Sequence, residues 1–317
     1  MKVLFVTNMY PVKDYIYFGI HVKEQIERLS KSKGIQADLY FIDGRKEKTR
    51  YLKSIWEIPQ KINAGKYDLV HIHYGISGMF LLFHKPKIPI VITLHSGELF
   101  GKKGFINRHL QRVITMAVIR HVNRIVILND ETKTLLSDFS AKLVKQPCGV
   151  DIDFFRPLTG TSDQRRFTIG FPGNKARAEK NFRLFTQIIM LLQKEIDIEV
   201  IEFHNISRDE VLQSLNKIDL LLMTSLKEGS PQIVKEAMAV NKPVISTPVG
   251  DVEDLLKGVT NSRVVRSFEA KDFIDPIMRL YALPPELRTT NGRSKIMNMS
   301  LDAESVANKI YHTYAAI

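Results

Sequence analysis

The chain has 317 residues and a single cysteine, Cys148, so no intramolecular disulfide can form and no cage of thiolates can hold zinc. That scarcity fits a reducing compartment and predicts a cytoplasmic protein. No stretch approaches 18 consecutive apolar residues, so no helix is expected to span a membrane. The opening MKVLFVTNMYP has too short an apolar run, and no small-residue cleavage site, to read as a signal peptide. Acids are in deficit: 34 Asp and Glu stand against 46 Lys and Arg, a net charge of +12. Such an excess predicts an anionic partner, whether nucleic acid, an anionic leaflet or a phosphorylated small molecule. The chain has no aromatic platform, zinc-finger spacing or helix-turn-helix pattern, so a basic nucleic-acid-binding protein remains an alternative without a visible reader. Internal repeats and low-complexity tracts are also missing.

What is present is enough apolar residue, 44%, for a core in each of roughly two domains. Continuous apolar runs read as buried parallel strands: KVLFVT, QADLYFID, YDLVHIHY, PIVITLHS and RIVILN. Helical spacing separates them, over FGIHVKEQIERLSKSKG, near Tyr51–Ala64 and at about 105–121. Periodicity stops around CGVDIDFFRPLTGTSDQRR, which has the composition of a linker or domain edge. It restarts with the strand RFTIGFPG, a helix through NFRLFTQIIMLLQKE, the strand IEVIEF, a helix in SRDEVLQSLNKI, the strand DLLLMTS, a further helix, the strand KPVISTP and the segment VEDLLKG. A last amphipathic helix runs from about Leu301 to Ala316. The pattern predicts two successive doubly wound α/β units of about 150 residues, with ligands at the carboxyl ends of strands.

The segment KEGSPQIVKEAM, Lys227–Met238, carries two acids eight positions apart, Glu228 and Glu236. Ser230 is expected to cap a helix with Pro231 as its first residue, which puts Glu228 in a loop and Glu236 on the second helical turn. N–H groups near Gly229, Ser230, Gln232 and Ile233, with the helix dipole, would favour a phosphate. A capped surface helix with two solvated acids is the competing reading. It explains poorly why Glu228 follows a buried strand. HIHY, His71–Tyr74, offers two imidazoles on one strand face, but the other ligands of a zinc site are missing. The region 101–124 carries Lys102, Lys103, Arg108, Arg112, Arg120 and Arg124 without an acid, interleaved with Ile106, Leu110, Val113, Ile114 and Ala117. A basic amphipathic helix of this kind can lie on an anionic membrane surface, or simply pack one face on a sheet.

EGSPQIVKEAMAVNKPVISTPVGDVEDLL resembles the E-x7-E segment of retaining GT-B glycosyltransferases of family 4, in detail the bacterial members of surface-polysaccharide assembly. PVKDYIYFGIHVKEQIERL, DLVHIHYGISG, VITLHSGEL, CGVDIDFFRP and FPGNKARAEKNF resemble further parts of that family in order along nearly the whole chain. The resemblance implies a GT-B fold: two Rossmann-like domains, 1–150 for the acceptor and 151–300 for the nucleotide sugar, facing across a cleft, with helix 301–317 crossing back to the first. It implies a retaining transferase that moves a sugar from a nucleotide diphosphate-sugar to a hydroxyl of a lipid-linked glycan, at the inner face of the cell membrane. Neither a cofactor nor a metal is implied, and Asp151–Asp153, a D-x-D triplet, falls where the family has a turn. By the same resemblance Glu236 binds the ribose hydroxyls, Glu228 and His95 sit by the reacting sugar, and Arg177 and Lys180 hold the diphosphate, with Lys175 as the rival of Arg177. Gly19 would let the first loop approach the phosphates. A GT-B epimerase or phosphorylase fits EGSPQIVKEAM less well.

Overall fold

The structure is a computed structural model that describes residues 1–100, 105–158 and 166–317, and of residues 105–108 only the backbone. It divides into two compact units, Met1–Gly149 with Ala303–Ile317, and Val150–Asp302.

In the first unit the strands are β1 (Lys2–Thr7), β2 (Gln36–Phe41), β3 (Leu69–His73), β4 (Ile90–Thr93), β5 (Arg124–Ile127) and β6 (Leu143–Lys145). The helices between them are α1 (Ile20–Lys33), α2 (Arg50–Gly65), α3 (Gly97–Phe100), α4 (Phe105–Val118) and α5 (Asp130–Leu135). The strands form one sheet in the order β2-β1-β3-β4-β5-β6, with every pairing parallel. Parallel crossovers put helices on both faces, so strands such as Val3–Val6 are apolar throughout and fully buried. One face packs Leu4, Val6, Val70 and Ile72 beneath α2 and α4; the other packs Val3, Phe5, Val91 and Val126 beneath α1.

The second unit repeats the plan with β7 (Phe167–Pro172), α6 (Phe182–Leu192), β8 (Ile198–Phe203), α7 (Arg208–Lys217), β9 (Leu220–Met223), α8 (Gln232–Ala239), β10 (Val244–Ser246), α9 (Val252–Leu256), β11 (Arg263–Val264), α10 (Ile274–Tyr281) and α11 (Gly292–Asn298). Its sheet runs β11-β10-β9-β7-β8, again parallel. Because β8, β7, β9 and β10 are successive neighbours, the loops leaving their carboxyl ends meet along one edge, where open α/β sheets bind ligands.

Helix α12 (Ala303–Ala315) then belongs to the first unit, where Val306, Ala307, Ile310 and Tyr314 complete the apolar face beneath α1. Lys33 of α1 is paired with Glu304 of α12 at 2.9 Å. Chain outside 1–149 is therefore part of the first core. Ile310→Ala is expected to cost the first unit about 2–5 kcal/mol, the range for truncating a buried isoleucine, as read by denaturant unfolding. A cost below about 1 kcal/mol would show that α12 is not integral to that core.

Candidate active site

In the second unit the loop after β9 is tied to the loop after β7 by main-chain and side-chain bonds. The Leu226 N–H donates to the Glu179 carbonyl at 2.8 Å, and Thr224 Oγ1 donates to the Lys180 and Asn181 carbonyls at 3.1 and 3.2 Å. These ties bring Lys180 to Glu228, with Nζ to Oε1 at 2.7 Å, and Ser225 Oγ donates to the same oxygen at 2.9 Å. Both side chains are mostly buried, so this is a charge-assisted contact in a poorly solvated place.

Glu236, on the second turn of α8, is only 2% exposed, and its Oε1 accepts a bond from Arg208 Nη2 at 2.8 Å. Arg208 opens α7, inside the capping box of Ser207 and Glu210, and its guanidinium also lies 4.6 Å from the centre of the Phe155 ring. The sequence reading missed Arg208, since its pairing with Glu236 spans 28 positions and follows only from the adjacency of strand-end loops. Arg177 and Lys175 are not drawn into this group. Arg177 pairs with Glu179 at 2.8 Å and Lys175 with Glu202 at 3.1 Å, all in exposed positions.

Ser230 does not cap α8, contrary to expectation. Pro231 occupies the cap in an extended conformation, and the helix begins at Gln232 and Ile233. The Ser230 hydroxyl instead donates to Asp251 Oδ2 at 2.6 Å and accepts from Lys235 Nζ at 3.0 Å. Charged partners outcompete a helix N–H for it. The Gly229–Ser230 backbone still leads directly into a helix start, whose first N–H groups have no carbonyl within the helix.

In the first unit the carboxyl ends of β3 and β4 gather imidazoles. His71 and His73 of β3 stack at 4.4 Å, and His73 Nδ1 meets His95 Nε2 at 3.2 Å. Tyr74 stacks on His95 at 4.2 Å with its hydroxyl 2.9 Å from His21 Nε2, and it holds a positive φ of 68°, uncommon for a residue with a side chain. His71 is bonded to Tyr314 of α12 and to Thr93. Burial pushes the His71 pKa down to about 3. Burial first, and neighbouring imidazoles second, hold His73 and His95 well below their usual range. Glu98, unremarked in the sequence reading, accepts from the His95 N–H, and burial raises its carboxyl to about 7. Gly19 has φ +68°, and a Cβ there would lie 2.3 Å from the Met9 carbonyl oxygen. The close approach it permits here is to the chain's own backbone.

Asp151 accepts from the N–H groups of Asp153 and Phe154, a local turn that accounts for the first acid of the D-x-D triplet. Residues 101–104 and the Arg108 side chain lie outside the described residues. In the rest of α4, Leu110 and Val113 are 55% and 51% exposed beside an exposed Arg112. Among the described residues no helix is long and apolar enough to cross a membrane.

Two family models match the chain in turn: Glycosyltransferase Family 4 over residues 18–154, and Glycosyl transferases group 1 over residues 193–282. TuaC of Bacillus subtilis, described as a glycosyltransferase of teichuronic acid biosynthesis, is 24% identical over 79% of this chain and 71% of its own. A UDP-Gal:alpha-D-GlcNAc-diphosphoundecaprenol alpha-1,3-galactosyltransferase of Escherichia coli is 20% identical over 78% and 75%. The crystal structure of HepE of Anabaena in complex with UDP superposes with a TM-score of 0.71 at 14% identity, covering 100% of both chains. The chain belongs to family 4 of the glycosyltransferases and has their GT-B fold.

The imidazole cluster generates a prediction about pH. The folded value of His71, about 3, lies below its ordinary 6.5, so the unfolded chain takes up the proton first. The associated stability is complete above pH 6.5 and is lost as the pH falls toward 3. Glu98 acts in the opposite sense, because its raised value favours the folded state as the pH drops through 7. A comparison with a variant isolates the histidine. The stability gap between the wild type and His71→Gln should shrink by about 2 kcal/mol from pH 7 to pH 5, measured by urea unfolding. A gap independent of pH would mean that His71 is not held neutral.

Proposed function

We propose that this glycosyltransferase moves a sugar, with retention and without a metal, from a nucleoside diphosphate-sugar to a hydroxyl of a lipid-linked glycan in bacterial surface-polysaccharide assembly. The observation that carries the reading is Lys180 and Glu228 held together beside the start of α8. A cation and helix-start N–H groups suit a diphosphate, whose charge grows as the bond to the sugar breaks, and a carboxylate suits sugar hydroxyls. The names of the relatives support the substrate classes: one uses UDP-galactose and a diphosphoundecaprenol-linked acceptor, and another structure holds UDP.

In this account Gly229, Ser230, Gln232 and Ile233 offer main-chain N–H groups to the diphosphate, Lys180 neutralises it, and Glu228 orients the sugar. Glu236 takes the ribose hydroxyls. Since Arg208 covers its carboxylate, nucleotide binding exchanges the Arg208–Glu236 pair for ribose on Glu236 and phosphate on Arg208. Arg177 and Lys175, exposed and weakly held by single acids, can turn toward the diphosphate. The leaving diphosphate departs as the acceptor hydroxyl attacks from the same face, and no enzyme nucleophile is assigned. No nucleic-acid partner is part of this reading. The exposed Leu110, Arg112 and Val113 of α4 fit an anionic leaflet, which would hold the enzyme at the inner membrane face beside a lipid-linked acceptor.

Thermal-shift screening with UDP-, GDP-, ADP- and CMP-sugars should show stabilisation by one nucleotide class, abolished in Glu236→Ala. Stabilisation by none would remove the basis of the reading. Glu228→Gln should lower kcat by about 10²-fold, the scale for losing one group that acts in the transition state, with nucleotide binding largely kept. A kcat near wild type would place the sugar elsewhere. Arg112→Glu should weaken binding to phosphatidylglycerol vesicles by about tenfold or more, at roughly 1 kcal/mol per basic residue near the surface. Unchanged binding would exclude α4 as the contact.

A further inference from the structure

The hydroxyl of Ser230 sits between an ammonium and a carboxylate that are themselves out of water. Lys235 is fully buried, and Asp251 is 7% exposed. Asp251 Oδ2 accepts the hydrogen bond from the Ser230 hydroxyl, while Oδ1 is buried with no hydrogen-bond partner among the described residues. Burial raises the Asp251 carboxyl above the usual range, against the pull of Lys235 and Ser230. Burying a lysine and an aspartate carries a large desolvation cost, and apolar residues of similar size often serve stability equally well. An apolar trio, however, could not fix a serine rotamer. The loop after β10 also touches the donor loop main chain to main chain. Gly250 has φ +58°, and a Cβ there would lie 2.5 Å from the Gly229 carbonyl oxygen and 3.2 Å from that of Glu228. The segment Glu228–Pro231 is thus held at one end by Lys180 and Ser225 on Glu228, and at the other by Asp251 and Lys235 on Ser230.

We infer that Asp251 and Lys235 are positioning residues that contact no part of the substrate and act through the Ser230 hydroxyl to fix the Gly229–Pro231 backbone on which the donor rests. The inference rests on the donor-site reading given above. It also makes a prediction of unusual sign. Removing a negative charge near an anionic ligand should by Coulomb's law strengthen binding, so weaker binding on losing Asp251 reports lost geometry rather than a lost contact.

The test titrates UDP, GDP and ADP calorimetrically into the wild type and then uses the tightest of them on Ser230→Ala, Asp251→Ala, Asp251→Asn, the Ser230→Ala/Asp251→Ala double variant and Glu236→Ala. Each single alanine variant should weaken binding about tenfold, and the double variant by about the same factor rather than a hundredfold, because both remove one shared tie. Asp251→Asn, whose amide oxygen can still accept from Ser230, should stay within threefold of the wild type. Ser230→Ala removes the tie with the smaller change, so the result does not depend on Asp251→Ala folding. Wild-type affinity in Ser230→Ala and Asp251→Ala, tighter binding in Asp251→Ala, or losses that multiply in the double variant would overturn the inference. If Glu236→Ala abolishes binding while Asp251→Ala does not weaken it, the donor-site reading stands and only the positioning role falls. If none of the three nucleotides binds the wild type, both fall.

Discussion

A carboxylate in a packed loop that leaves little water to solvate it needs polar partners close at hand, or its burial goes uncompensated. Glu228 meets this constraint through Lys180 at 2.7 Å and Ser225 at 2.9 Å. Much of the second unit's sheet edge follows from that requirement. The lysine has to come from the loop after β7, which must be drawn against the loop after β9, and the Leu226 and Thr224 bonds to residues 179–181 do this. The same logic gives Glu236 a guanidinium from the start of α7. Two acids eight positions apart therefore recruit cations from two different loops. What results is an edge of matched charges.

The first unit answers burial differently. Around the ends of β3 and β4, His71, His73, His95, Tyr74 and, from α12, Tyr314 are joined by ring stacking and neutral hydrogen bonds, and burial keeps the imidazoles of His71, His73 and His95 uncharged. Glu98 conforms to the same pattern, since its raised value favours the neutral acid. The carboxyl ends of β3 and β4 thus gather neutral rings, where those of β7 and β9 gather an ion pair. The helix α12 adds a direct bond from the chain's last turn to the middle of that neutral cluster, at His71.

Much of this was legible in the sequence. Continuous apolar runs such as KVLFVT and DLLLMTS became parallel strands in the expected order, and Gly34 ends α1 in a left-handed conformation. Short elements were not legible: the three-residue β6, the two-residue β11, and the eight- and seven-residue helices α10 and α11 near the end of the second unit. Strands that short are defined by their neighbours rather than by their own residues. In the candidate site, Glu228, Glu236 and Lys180 were singled out from the sequence, but neither the pairing of Lys180 with Glu228 nor Arg208 was. Lys180 lies 48 positions away and Arg208 28, distances that only the sheet order closes. The Ser230 cap failed for a related reason. Local rules rank a serine before Pro231 as a helix cap, but the hydroxyl oxygen accepts from Lys235 Nζ rather than from a helix N–H, while its own hydrogen goes to Asp251, 21 positions on.

The central claim is that the β9–α8 loop and the start of α8 form the donor's seat. Amide hydrogen exchange with and without a nucleotide sugar, UDP-glucose being the first choice, measures this directly. The account predicts that peptides covering residues 226–236 gain the largest protection on ligand addition, with smaller gains at 175–181 and 205–209. Ligand-induced protection confined to other parts of the chain, with 226–236 exchanging as in the free protein, would contradict it.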